Sequence, residues 1–152
     1  MNLGDLFPNE WKFEYSERNL KVGAIIKLHV TDTTPPKEKR FIIVGFSENN
    51  EIIAALYFNS EINYNVNWSS ELRDQHIHFH AQEREYLDKD CYLDCSRLVF
   101  KNYDEIHQAV ADNPGAFLGQ VSQEDWNLIK QVVIDSPTIK GKVKKKYGFY
   151  EQ

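Results

Sequence analysis

No window of this chain approaches the roughly 20 consecutive apolar residues that a membrane-spanning helix needs. Its first residues, MNLGDLFPNEWKFEY, also lack the basic start and apolar core of a secretion signal. The expectation is a protein that uses no membrane and stays in the cytoplasm. Only two cysteines occur among 152 residues, Cys91 and Cys95, and without an export signal they are expected as reduced thiols rather than a staple. No phosphate-binding glycine loop, nucleophile elbow or dinucleotide fingerprint is present. Internal repeats are missing too, as is the strand-helix alternation that builds a parallel sheet.

What remains is an ordinary globular composition, 41% apolar and 27% charged, long enough to bury one core. The net charge of -5 argues against a protein that coats nucleic acid over its whole surface. That charge is unevenly spread. Lys140, Lys142, Lys144, Lys145 and Lys146 cluster near the C-terminus, leaving 13 basic against 22 acidic residues over positions 1–139. The basic run precedes Tyr147, Phe149 and Tyr150, rings that can stack on unpaired bases, although a solvated terminus is the simpler reading. Three parts follow: an N-terminal extension (1–20), a main body (21–139) and a basic aromatic tail (140–152).

Within the extension, Trp11, Phe13 and Tyr15 alternate with Lys12 and Glu14, and with Phe7 they predict an edge strand or an extended arm. Residues 22–30 are rich in β-branched side chains and predict a first strand. Residues 31–39 carry Pro35 and Pro36 and no apolar residue, hence a loop able to line a groove. Arg40–Phe46 and Glu51–Asn59 then read as buried strands joined at Asn49-Asn50. A further strand is expected over 75–82 and another over 91–100. Helices are expected over 104–111, with Asp104 as cap, and after Ser122, where Ser-Gln-Glu-Asp has the form of a capping box. Asp135-Ser136-Pro137 stops the second one. Strands first and helices last give a mainly β, α+β fold: a small barrel closed by a C-terminal helix.

Several segments together resemble the PemK/MazF-like toxins of type II toxin-antitoxin systems. They are Val22-Gly23 leading into a strand, the proline loop, Lys39-Arg40-Phe41-Ile42-Ile43-Val44, the hairpin ending Phe58-Asn59-Ser60, Leu93-Asp94-Cys95-Ser96-Arg97-Leu98, and Gly119-Gln120-Val121-Ser122 before the last helix. The resemblance implies an SH3-like barrel, a homodimer, an antitoxin partner and metal-independent cleavage of single-stranded RNA by the ribose 2'-hydroxyl. It departs from the family where Phe41 stands in place of a proline, and where Asn59 and Ser60 compete for a hydroxyl position. Such chemistry needs a cation on the phosphorane oxygens and a group that positions protons. Arg40 fits the first need, because a planar guanidinium matches phosphate oxygens. Ser60 or Asn59 fits the second, and His29 is a candidate acid or base. Lys37, Lys39, Lys144 and Lys145 are the expected RNA-binding cations. The alternative is a non-catalytic barrel that binds a protein through the proline loop and the aromatic arm.

A rival chemistry rests on His76, His78 and His80, which alternate with Ile77 and Phe79 and predict one histidine face and one apolar face. Two imidazoles at i and i+2 can chelate one ion, with Cys91, Cys95 or Asp94 as further ligands. Three alternating histidines nevertheless span more length than one ion bridges, and the cysteines lack zinc-knuckle spacing. The histidines are therefore read as a polar, solvent-facing edge suited to phosphate contact, and neither a metal nor another cofactor is expected.

Overall fold

A computed structural model describes residues 9–33 and 35–151. In chain order these form helix α1 (Asn9–Asn19), strands β1 (Ala24–Val30), β2 (Lys37–Phe46) and β3 (Ile52–Asn59), and a short helix α2 (Ser70–Arg73). Strands β4 (His76–Phe79), β5 (Cys91–Asp94) and β6 (Val99–Asn102) follow, then helix α3 (Tyr103–Asp112) and a 3-10 turn at Pro114–Ala116. Strand β7 (Phe117–Gln120) and helices α4 (Gln123–Ile134) and α5 (Gly141–Lys146) complete the chain.

All strand pairings are antiparallel, in the order β4-β5-β3-β2-β1-β7. Strand β3 is the pivot. One edge pairs with β2, while the other is shared between β6, against Ile52–Ala55, and β5, against Phe58 and Asn59. Register shifts at Ile25/Ile26 and Ile43/Gly45 bend the long strands, since a bulge kinks a strand and tightens its twist. The outcome is a curled, half-barrel antiparallel sheet followed by two C-terminal helices, α4 and α5, with α1 before it and α2 and α3 between its strands, in line with the α+β expectation.

The central strands are apolar on both faces because both faces are covered. On one face Ile25, Ile42, Leu56 and Phe58 pack with Phe79, Leu93, Ile129 and Val133. On the other, Ile26, Phe41, Ile43 and Tyr57 pack with Leu20, Ile106 and Val110. Each such fully buried aliphatic or aromatic side chain contributes about 1.5–3 kcal/mol, so this two-layered burial carries most of the fold. Helix α4 begins as its sequence predicts, the Ser122 hydroxyl accepting from the Asp125 backbone N–H at 3.1 Å. Helix α3 is capped by Asn102 rather than Asp104, with Asn102 Oδ1 accepting from the Glu105 N–H at 3.0 Å. The chain passes directly from β6 into α3, so the last strand residue is the one in position to cap.

Three further expectations are corrected, and one strand is added. Residues 9–19 are helical, not an extended arm: Trp11 and Tyr15, four apart, share a helix face. Fully buried Ser16 donates from its hydroxyl to His107 O at 2.8 Å, and Phe13 meets the His107 ring edge-on at 5.4 Å. Phe7 and Thr34 lie outside the described residues. Residues 91–100 form two strands rather than one, because the Asp94 carboxylate accepts from both the backbone N–H (2.9 Å) and the hydroxyl (2.6 Å) of Ser96 and turns the chain. An unexpected strand, β7, pairs with β1. The basic tail is no solvated terminus: α5 carries Tyr147 and Phe149 into the same core as β2 and α4. Their backbone lies so close to β2 that a Cβ on Gly45 would stand 2.7 Å from the Tyr147 carbonyl oxygen.

Candidate functional site

Where β3 leaves the sheet and β5 joins it, a groove of about 990 Å³ opens between the start of β2, the end of β3, the loop that follows it, and the segment leading into β5. Lys37, Glu38, Lys39 and Arg40 line one wall, and Asn59, Ser60 and Tyr64 another. Asp88, Lys89, Tyr92, Asp94 and Arg97 supply the third. Five basic and four acidic side chains line it, so the excess negative charge of the body is relieved here. Tyr64 and Trp68 stand 65% and 75% exposed in the loop beyond β3.

Strand β2 starts three residues earlier than expected, at Lys37. Arg40 therefore lies inside the strand, opposite Lys27 of β1, rather than at its head. Alternation turns Lys39 to the same side as Phe41 and Arg40 to the same side as Ile42. The Arg40 side chain, 21% exposed, donates from Nε to the Tyr86 carbonyl at 3.1 Å, and its Nη1 lies 3.5 Å from Asp88 Oδ1. Its guanidinium is thereby oriented by the 81–90 loop.

Lys39 is the buried cation of the groove. Its Nζ donates to Phe58 O at 2.7 Å and to Asn59 Oδ1, and it sits 5.5 Å from the centre of the Tyr57 ring. Burial, helped by the neighbouring Lys37 charge, pushes its pKa down to about 8, since a desolvated ammonium loses its proton more readily. Behind it, the Tyr57 hydroxyl donates to Asp32 Oδ1 at 2.6 Å, and Lys101 reaches both Asp32 and Tyr57. Partial burial opposes ionisation of Asp32, but these donors outweigh it and hold the carboxyl below its usual range. Burial and the Asp32 hydrogen bond raise the Tyr57 phenol.

Of the expected site residues, Arg40, Asn59, Ser60, Lys37 and Lys39 share this concave surface. His29, exposed on β1 opposite Glu38, does not line it. Lys144 and Lys145 do not line it either. Lys144 is buried, its ammonium donating to Ile134 O at 2.7 Å and Ser136 O at 2.8 Å, where it neutralises the carbonyl end of α4. Lys145 is exposed on α5. Pro35 and Pro36 leave the lining to the lysines that follow them. Sequence reading missed Lys89, Tyr92 and Arg97. Only the pairing of β5 with the end of β3 brings them to the groove, and no local pattern encodes that long-range register.

The cysteines offer no reactive thiolate. Both are free, Cys91 is buried and Cys95 has no exposure, and burial raises both thiols. The three histidines divide. His76 is withdrawn from solvent, its Nδ1 3.0 Å from Leu72 O and its Nε2 3.6 Å from Asp94 Oδ1, whereas His78 and His80 are exposed. The expected single histidine face is thus two histidines wide.

Compared with protein-family models and with curated proteins, this sequence matches none.

Proposed function

We propose that the groove binds single-stranded RNA and cleaves its backbone without metal. In this reaction the ribose 2'-hydroxyl loses its proton and its oxygen bonds to the adjacent phosphorus. The bond from phosphorus to the 5'-oxygen breaks, and that oxygen takes a proton, leaving a 2',3'-cyclic phosphate and a 5'-hydroxyl. The observation that carries this reading is that Arg40, Lys39, Asn59 and Ser60 all line the same groove. Arg40 is the group that stabilises charge on the phosphorane. Lys39, with a pKa of about 8, is protonated at neutral pH yet able to release its proton, as the general acid for the leaving oxygen must be. Asn59, tied to the Lys39 ammonium, and Ser60 position the phosphate, while exposed Tyr64 provides a stacking surface for a base. On this reading the curled sheet is the SH3-like barrel of PemK/MazF-like toxins, acting in the cytoplasm as a homodimer that an antitoxin restrains.

The test is incubation of the purified chain with single-stranded RNA in EDTA. Cleavage that falls about 100-fold or more in Arg40→Ala is expected, the usual cost of deleting one charge-stabilising donor. Absence of cleavage on any RNA, or undiminished cleavage by Arg40→Ala, would overturn the proposal. A second reading, a non-catalytic module for a protein partner, is favoured by one observation: exposed Val66 and Trp68 stand beside a groove whose Arg40 is already paired with Asp88. Harmless expression with a co-purifying partner is its signature.

A further inference from the structure

Outside the groove lining, an unassigned cluster of ligating side chains lies at the β4 edge of the sheet. His78 and His80 stand on the same side of the chain, their ring centres 4.4 Å apart. Asp90, the residue before β5, faces them. Its Oδ1 accepts from the Ala81 N–H at 2.8 Å, which leaves Oδ2 3.4 Å from His80 Nδ1. The His78 ring stacks on Tyr92 at 4.7 Å and 27°, so two of the three groups are oriented by neighbours, as the outer partners of metal ligands commonly do. One ligand atom from each of the three lies within 4.8 Å of the others. Donors around a tetrahedral zinc ion stand about 3.3 Å apart, given bonds of about 2.0–2.1 Å. The remaining contraction is small, and exposed imidazoles can supply it by turning about their side-chain bonds.

We propose that His78, His80 and Asp90 form a binding site for a divalent zinc ion, with the fourth coordination position open to water or an external ligand. Two imidazoles and one carboxylate suit zinc and its late transition-metal neighbours, and disfavour magnesium and calcium, which prefer all-oxygen shells. The span argument against three alternating histidines does not reach this site. His76 is engaged elsewhere, and a carboxylate brought across from the start of β5 takes the third place. A bound ion fastens residue 80 to residue 90 and closes the loop between them. That loop also carries the Tyr86 carbonyl and the Asp88 carboxylate that hold Arg40, so the site is coupled to the groove wall whatever ligand the groove takes.

The experiment is titration of the full chain, freed of metal by chelation, with zinc chloride alone, followed by calorimetry, and with cobalt chloride, followed by visible absorption. One saturable ion per chain is expected. Affinity should fall at least 100-fold in the His78→Gln, His80→Gln double variant and about 10-fold or more in Asp90→Asn. All three side chains are exposed, so far-ultraviolet circular dichroism should remain that of the unaltered chain. Absence of saturable zinc binding, or unchanged affinity in the folded double variant, would overturn the site.

Discussion

A lysine within the run Lys37-Glu38-Lys39-Arg40 reads as a surface cation, yet Lys39 is only 7% exposed and its ammonium is bound by a backbone carbonyl and an amide oxygen. Its stability linkage has a definite sign. Below pH 8 the residue carries its proton in both the folded and unfolded states, and no differential arises. Between pH 8 and the ordinary lysine value of about 10.4, the unfolded chain binds more proton than the folded one, so folding gains as pH rises. The difference in unfolding free energy between the unaltered chain and Lys39→Met should shift toward the unaltered chain by on the order of 2–3 kcal/mol from pH 7 to pH 10. Urea unfolding at the two pH values measures it, and a flat difference would mean that Lys39 is hydrated. The run itself could not disclose this burial. Strand alternation separates Lys39 from its neighbour Arg40, but Lys37 and Lys39 share a face, and what buries only Lys39 is its place beside the end of β3, where Phe58 O and Asn59 receive its ammonium.

Among the elements, α4 shows how a cap written in the sequence is reinforced by a contact that is not. Ser122 was identifiable from the spacing Ser-Gln-Glu-Asp. The partner of Asp125 was not: Arg84, 41 positions away, donates from Nε and Nη2 to the two carboxylate oxygens at 2.9 Å each while lying 4.8 Å over the Phe79 ring. Those hydrogen bonds, against partial burial, hold the Asp125 carboxyl below its usual range. The stability they give is present above about pH 4 and is lost as pH falls through the lowered value. Asp125→Asn should therefore cost about 1–3 kcal/mol at pH 7 and progressively less as pH falls below about 4, by comparison of urea midpoints. The same division runs through the fold. Strands β1–β3 and helices α3 and α4 were legible because their periodicity is local, as is the cap of α4, while the α3 cap was misplaced by two residues. The α1 helix was not, because Trp11, Phe13 and Tyr15 satisfy a period of two, and only packing of Ser16 and Phe13 on His107 decides for the helix. In the groove, Arg40, Asn59 and Ser60 were singled out through the resemblance to PemK/MazF-like toxins, although Arg40 lies inside β2 and not at its head, whereas Arg97 and Tyr92 required the β3 to β5 register.

At the scale of the whole molecule, helix α1 and the α5 segment, the outermost described parts of the chain, are parts of the core rather than attachments to it. α1 covers the face of the sheet that holds α3, and the α5 segment covers the face that holds α4. The Tyr147 backbone can lie on β2 because residue 45 has no side chain. Gly45→Ala should force these segments apart and destabilise the fold by about 1–3 kcal/mol, the range for overpacking a tight core. It should also increase the susceptibility of the C-terminal segment to limited proteolysis. An alanine variant with unchanged midpoint and cleavage pattern would argue that the contact is looser in solution.

The division of the β3 edge between β5 and β6 has a consequence for assembly. The longest strands, β1, β2 and β3, lie within the sheet, and the outermost strands β4, β6 and β7 have four residues each. Short outer strands are poor templates for recruiting another chain. Among the described residues, then, the sheet offers a second copy little edge on which to extend it.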